Sequence, residues 1–339
     1  MLTTTNTLAM PPLIKTSAGQ ERRVGVEIEL SGLSISETAD LVQDTLFGTD
    51  AGEVLHPGRY EIALRGDPAG DWEIELDFAY LKALGRRERS EADLGNAVEG
   101  LAEDLLRLVA ERIVPVEVIS PPLPLSRLAE FNAVIERLRA AGARGTSDDP
   151  TYAFGMQLNP EMPATDVDSI RQYLQAFLCI EDWLRERAAV DLTRRLTFFA
   201  DPFPKGYVRT TVAPSYSPNR TQLIDDYLDA NPTRNRALDM LPLFTHLDEA
   251  RVRERVQDER VKARPALHYR LPNSEVDQPG WDLSGPWQDW LMVERLAADP
   301  AQLERLCATY SDYLNNPLGR LTGDWRQECQ QWLSENDLL

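Results

Sequence analysis

The ten residues Glu21–Leu30, ERRVGVEIEL, place two carboxylates two positions apart inside an apolar, β-branched run. Side chains alternate across a strand, so Glu27 and Glu29 share a side with Gly25, while Val24, Val26, Ile28 and Leu30 share the other. A fold built on such a strand buries one face of a sheet and leaves the other acidic. Taken alone, the stretch also reads as an edge strand with a solvated face. The pattern carries more weight because it recurs downstream.

Tyr60, Ile62 and Leu64 alternate with Glu61, Ala63 and Arg65, the turn-rich GDPAGD follows, and Trp72, Ile74 and Leu76 alternate with Glu73, Glu75 and Asp77. This predicts a β-hairpin with a second acidic face. In VPVEVISPPLP, Val114–Pro124, Glu117 is the one charged residue of a strand ended by Pro121 and Pro122. A carboxylate in a buried strand needs a basic partner or a cation, because leaving it charged and unpaired is costly. The strand in AFGMQLNPE, Ala153–Glu161, puts Gln157 and Asn159 on one face, and RPALHYRLPN, Arg264–Asn273, does the same for His268 and Arg270.

Between these strands the period changes to that of helices. Ser34 and Glu37 form a capping-box pattern ahead of a short helix, and an amphipathic helix is expected from Ser90 to Ile113. Others are expected from Ser126 to Ala141 and from about Thr165 to Glu186, with Ile170, Leu174, Phe177 and Trp183 as core. Three helical stretches are expected within 219–261. Beyond Trp281 the chain reads as helical, with Trp287, Trp290, Trp325 and Trp332 as packing anchors. The proline-punctuated section from Arg194 to Ser217 reads as a loop over a site. Residues 1–20 read as a loosely held lead-in, and Arg22, Arg23, Arg194 and Arg195 as surface charges, the last two able to reach a phosphate from their loop.

With 339 residues, 42% of them hydrophobic, the chain can bury one large core or two ordinary ones. Its formal charge of -19 counts against nucleic acid and anionic membranes as partners. No run reaches the length of a membrane span and no secretory pattern opens the chain, so a cytoplasmic protein is expected. The cysteines Cys179, Cys307 and Cys329 lie far apart, without CxxC spacing, and read as buried thiols. The pattern as a whole predicts an α+β fold: an antiparallel sheet with helices packed on one face and an open acidic face on the other. Glu27, Glu29, Glu73, Glu75, Asp77 and Glu117 crowded on that face would repel one another unless cations hold them. Oxygen ligands suit magnesium or manganese, ions whose usual companion is phosphate.

VGVEIEL, WEIELD, VEVISPPLP, FGMQLNPE, RNRALDMLPLF (Arg234–Phe244) and HYRLPN resemble, in that order, the motif series of the amidoligase family, within the glutamine synthetase and glutamate-cysteine ligase superfamily. The resemblance covers about residues 22–275. It implies a glutamine synthetase-like catalytic domain over 21–280, with 219–261 a helical section inside it and 281–339 a helical extension packed on it. It also implies an ATP- and magnesium-dependent ligase that activates a small-molecule or peptide carboxylate as an acyl phosphate for attack by an amine. Glu27, Glu29 and Glu117 match the family's metal-binding acids, Asp77 the acid of its W-x-x-x-x-D strand, and Arg270 the arginine near the transferred phosphoryl. Glu75 is grouped with Asp77 and Arg270 as catalytic, Gln157, Asn159, Arg194 and Arg195 as nucleotide-binding, and His268 as a further metal ligand. This chain has Gln157 and Asn159 where many members carry a histidine pair, and His268 where they carry a glutamate, which changes the charge of one metal site. A guanidino-kinase-like phosphotransferase and a nucleotide-binding pseudoenzyme are the alternative readings.

Overall fold

The computed structural model describes residues 7–48, 52–58, 60–76, 115–146, 154–188, 200–316 and 323–339. The expected helix from Ser90 to Ile113, and with it Asp77, Arg194 and Arg195, lies outside them. The fold is α+β, with nine strands and ten α-helices among the described residues, and every strand pair whose register is defined is antiparallel. The chain divides into two units that interleave along the sequence. One comprises Gly25–Gln157 with Asn273–Leu283. The other comprises Met1–Val24, Leu158–Pro272 and Ser284–Leu339. The sequence leads one to expect a catalytic domain at 21–280 and an extension at 281–339; Ser284–Leu339 groups with residues from the middle of the chain.

The first unit holds β1 (Arg23–Leu30, from Gly25 on), α1 (Ile35–Phe47), β2 (Glu53–Gly58), β3 (Glu61–Arg65), β4 (Trp72–Leu76), β5 (Val116–Ile119), β6 (Leu123–Pro124), α2 (Phe131–Ala140) and the first residues of β7 (Met156–Pro160). Its strands run in the order β2-β3-β4-β5-β1, with β6 beside β1. β2 is the edge, where Pro57 and a register shift between Leu55 and Gly58 are tolerated. Val26, Ile28, Leu30, Trp72, Ile74, Val116 and Val118 are buried on the apolar face, against which α1 and α2 pack. Trp72 stacks on Phe131 of α2 at 5.7 Å. α1 begins at the expected capping box, Ser34 accepting from the Glu37 N–H and the Glu37 side chain from the Ser34 N–H. The β3–β4 turn is clamped by Asp67, which accepts from Ala69 N at 2.8 Å, Trp72 Nε1 at 3.2 Å and Arg127 at 2.7 and 2.9 Å. The expected helix at Ser126 is instead a 3₁₀ segment, Leu125–Glu130, that runs into α2.

The second unit is organised around α3 (Val167–Arg187), whose Ile170, Leu174, Phe177 and Trp183 are buried as expected. Around and after it come α4 (Lys205–Thr211), α5 (Arg220–Ala230), β8 (Leu238–Asp239), α6 (Leu241–Leu247), α7 (Glu249–Arg255), β9 (His268–Tyr269), α8 (Ser284–Ala298), α9 (Pro300–Asn315) and α10 (Trp325–Glu335). α8, α9 and α10 pack on α3. Trp287, Trp290 and Trp325 anchor them, whereas Trp332 remains half-exposed. Trp325 Nε1 donates to the Cys179 carbonyl at 2.8 Å, and its ring stacks on Tyr310 at 4.3 Å. All three cysteines are buried thiols, and Cys179 and Cys307 lie 3.6 Å apart. The proline-rich section read as a loop contains α4, and its Tyr207 and Val208 are buried.

Arg22 corrects a sequence expectation. It is 2% exposed, and its guanidinium forms two bonds with Glu294, at 2.9 and 2.7 Å, while also donating to the carbonyls of Glu161 and Leu13. Tyr173 and Trp290 donate to the same Glu294 carboxylate. A planar five-donor group with this many acceptors is a buried tie rather than a surface charge. The segment before it is held as well. Trp287 Nε1 donates to the Ala9 carbonyl at 2.7 Å and Ser17 N to that of Pro163. No described helix is long and apolar enough to cross a membrane.

Candidate functional site

Strand register decides which carboxylates of the first unit meet. Glu29 on β1 is opposite Glu117 on β5, Glu117 is opposite Glu75 on β4, and Glu75 is opposite Glu61 on β3. Four carboxylates therefore stand on one rung of four adjacent strands, on the same side of the sheet. The next rung carries Glu27 and Glu73 on either side of Ile119. Directly opposed residues are about 5 Å apart and diagonal ones about 7–8 Å. Glu29 and Glu117 are therefore within reach of a single cation, with Glu27 one diagonal step away.

Like charges facing one another across strands are destabilising, and the structure shows the strain. The Glu73 carboxyl is pushed up, first by burial and then by the charges of Glu61, Asp71 and Glu27. Gln157 of β7 relieves part of the repulsion. Its Nε2 lies 3.3 Å from Glu29 Oε1 and 3.5 Å from Glu117 Oε1, and Gly155 N donates to Glu29 Oε2 at 2.7 Å. Glu29 is thereby aimed, one oxygen fixed by backbone and the other sharing an amide with Glu117. Among the described residues no three His, Cys, Asp or Glu side chains close around one point as metal ligands do. The carboxylate oxygens nonetheless match a hard cation in kind, with the side-chain amide of Gln157 beside them.

The second unit carries a different charge pattern. Leu158 of β7 pairs with Tyr269 of β9, which pairs with Leu238 of β8, and Asp239 pairs with His268. The ladder continues through the bond from Leu267 N to the Pro160 carbonyl, so Asn159, His268 and Asp239 fall on one rung. All three are buried, Asp239 completely. Asp239 Oδ1 accepts from Leu241 N at 2.9 Å, and Oδ2 stands 3.9 Å from His268 Nδ1. Arg270, Arg234 and Arg264 surround this pair electrostatically, and Arg270 Nη1 reaches the Arg234 carbonyl at 3.3 Å.

The charges respond accordingly. Burial raises the Asp239 carboxyl to about 6, against the pull of the Leu241 N–H and the three guanidiniums. Burial, reinforced by Arg270, Arg264 and Arg234, holds His268 well below its ordinary value, so the imidazole is neutral at neutral pH. Arg234 is lowered by burial and by Arg270. Among the described residues the guanidiniums outnumber the carboxylate around His268, a local positive excess that suits an anionic ligand.

The structure brings together Glu27, Glu29, Glu75 and Glu117 with Gln157, and separately Asn159 and His268 with Arg270. It corrects the placement of His268 and Arg270, expected on an open face but 2% and 9% exposed. Glu61, Arg234, Asp239 and Arg264 were missed by sequence reasoning. Asp239 had a signal, being the one acid in the apolar LDMLPLF; Glu61 acquires meaning only through register.

No curated protein and no solved structure matches this chain. The family model described as putative amidoligase enzyme matches residues 20–292, a span that includes both the carboxylate rungs and the arginine group. That span is most of the sequence, and the chain belongs to the amidoligase family.

Proposed function

We propose that this protein is an ATP-dependent carboxylate-amine ligase working through an acyl phosphate. The observation that carries the reading is the Glu29–Glu117 pair, two like charges held face to face on neighbouring strands of a family member. A cation bound between them would offset the repulsion of two like charges on opposed strand positions. Glu29 and Glu117, with Glu27 beside them, would hold magnesium or manganese, and Gln157 would turn its amide oxygen toward the ion in place of its N–H. The bound cation supplies charge neutralisation and alignment of the ATP phosphates.

Arg270 and Arg234 would stabilise charge on the transferring phosphoryl group, and Asn159 would bind nucleotide by hydrogen bonding. Phosphoryl transfer asks little covalent help of the protein, so positioned positive charge is the main contribution required of these side chains. In the first step a substrate carboxylate oxygen attacks the γ-phosphorus and ADP leaves. In the second the amine attacks the acyl carbon, loses a proton and expels phosphate. The substrates are a small-molecule or peptide carboxylate and an amine, and the reading places the enzyme in the cytoplasm.

Trapping with hydroxylamine tests this. The protein with ATP, magnesium, a panel of carboxylates and hydroxylamine is expected to release ADP and form a hydroxamate. AMP and pyrophosphate would refute the acyl phosphate, and ADP with a stable phosphorylated acceptor would make the protein a phosphotransferase.

A further inference from the structure

Two arginines of the second unit carry charges that the described residues leave unpaired. Arg234 and Arg264 are both half-buried, and neither guanidinium makes a hydrogen bond or ion pair there; Arg264 Nε is shut off from water as well. Their backbones are nonetheless tied down. The Arg234 carbonyl accepts from Arg270 Nη1 at 3.3 Å, and Arg264 N donates to the Pro242 carbonyl at 3.1 Å, at the start of α6. The charges acting on Arg234 are those of Arg270, Asp239, Arg260 and Asp258. Asp258 is held by the Arg260 guanidinium at 2.9 and 2.6 Å, so that pair cancels. Among the described residues this leaves Asp239 as the one carboxylate shared by Arg234, Arg264 and Arg270. Like charges gathered away from water repel, and a guanidinium without acceptors forgoes the bonds its five donors make in water.

We propose that Arg234 and Arg264, with Arg270 beside them, form an oxyanion site that binds a phosphate-type ligand without needing a metal ion. Planar guanidiniums meet a phosphate with paired N–H donors, so one ligand would supply the missing acceptors and offset the repulsion together. A divalent cation does not fit the same place. Arg270, Arg264 and Arg234 all act on the buried His268, and the field of three guanidiniums against one carboxylate repels positive charge. His268, expected from the sequence as a metal ligand, is then a neutral wall of an anion site. Arg264 is the side chain this adds to the phosphate contacts. That the oxyanion is a phosphate of ATP rests on the ligase reading; the site itself rests on the unpaired charges.

The test is calorimetric titration of the full-length protein, in EDTA, with pyrophosphate and with ATP, and with acetate as a carboxylate control. Pyrophosphate is expected to bind without metal, more weakly as salt rises, and acetate to bind at least about tenfold more weakly than pyrophosphate. Arg264→Gln is expected to weaken pyrophosphate about tenfold or more, the loss of one charge-assisted hydrogen bond. Urea unfolding separates this from a structural role. Without ligand, Arg264→Gln should match or exceed the wild type in midpoint, because it removes a repelled charge, and it should lose the increase that pyrophosphate gives the wild type. No binding in EDTA, acetate binding as tight as pyrophosphate, an unchanged affinity in Arg264→Gln, or a lower ligand-free midpoint in that variant overturns the proposal. Pyrophosphate binding that Arg264→Gln weakens, in a protein that does not bind ATP, keeps the site and overturns the ligase reading.

Discussion

Replacing Asp239 by Asn should stabilise this protein, by an amount that depends on pH. The carboxyl is raised from an ordinary 3.8 to about 6 because burial outweighs the Leu241 N–H and the nearby guanidiniums. A raised acid binds its proton more tightly in the native state than in the unfolded chain. Its contribution to stability is therefore fully present below 3.8 and is lost as pH rises through about 6. At about 1.4 kcal/mol per pKa unit, the loss comes to about 3 kcal/mol. Asn has no proton to lose and keeps an acceptor for Leu241 N. The stability of the variant minus that of the wild type should be near zero at about pH 4 and approach about 3 kcal/mol above about pH 7. Paired urea-unfolding curves across this range measure it, and the subtraction cancels every other titrating group the two proteins share. A difference that is flat with pH, or that falls as pH rises, would refute the account of how Asp239 is charged.

Four other outcomes are expected. Glu29→Gln should weaken magnesium-dependent ATP binding about tenfold and leave metal-free binding unchanged; calorimetric titration that finds no change removes the carboxylate rung from the proposed cation site. Arg270→Ala should slow ATP turnover more than it weakens ATP binding, by on the order of 3 kcal/mol in the barrier, read from the separate effects on kcat and KM. Glu294→Ala strands the buried Arg22 guanidinium and removes an acceptor from Tyr173 and Trp290. It should cost about 3–5 kcal/mol in urea unfolding, much of which Arg22→Met together with Glu294→Leu should restore. The Asp67 carboxyl is held down at about 2, chiefly by the Arg127 guanidinium. Its stabilisation is present above 3.8 and is lost as pH falls from there through about 2, so Asp67→Ala should cost about 2 kcal/mol at neutral pH and progressively less below about pH 4.

The alternating carboxylates of VGVEIEL and WEIEL, the capping box at Ser34, the apolar face of α3 and the motif order that led to the family were all legible in the residues. Each is a local pattern, set by the two-residue period of a strand, the 3.6-residue period of a helix or the geometry of a single turn. Alternation says that Glu29 and Glu117 each leave the apolar face of their own strand. It does not say that they face each other, because pairing depends on register between segments far apart in the chain. Register alone put Glu61 and Glu75 on the rung of Glu117, and set Asp239 against His268. Burial likewise belongs to the assembled molecule. Arg22 reads as one more surface charge beside Arg23 until α8 brings Glu294 to it, and Arg270 reads as facing solvent although the fold leaves it 9% exposed, with Nη1 at the Arg234 carbonyl. The sequence by itself determined the chemistry available to this protein, acids on strands with arginines, a histidine and amides to follow. The tertiary structure decided which of those groups share a charge environment, because electrostatic coupling depends on distance and dielectric, which the linear order of residues does not carry.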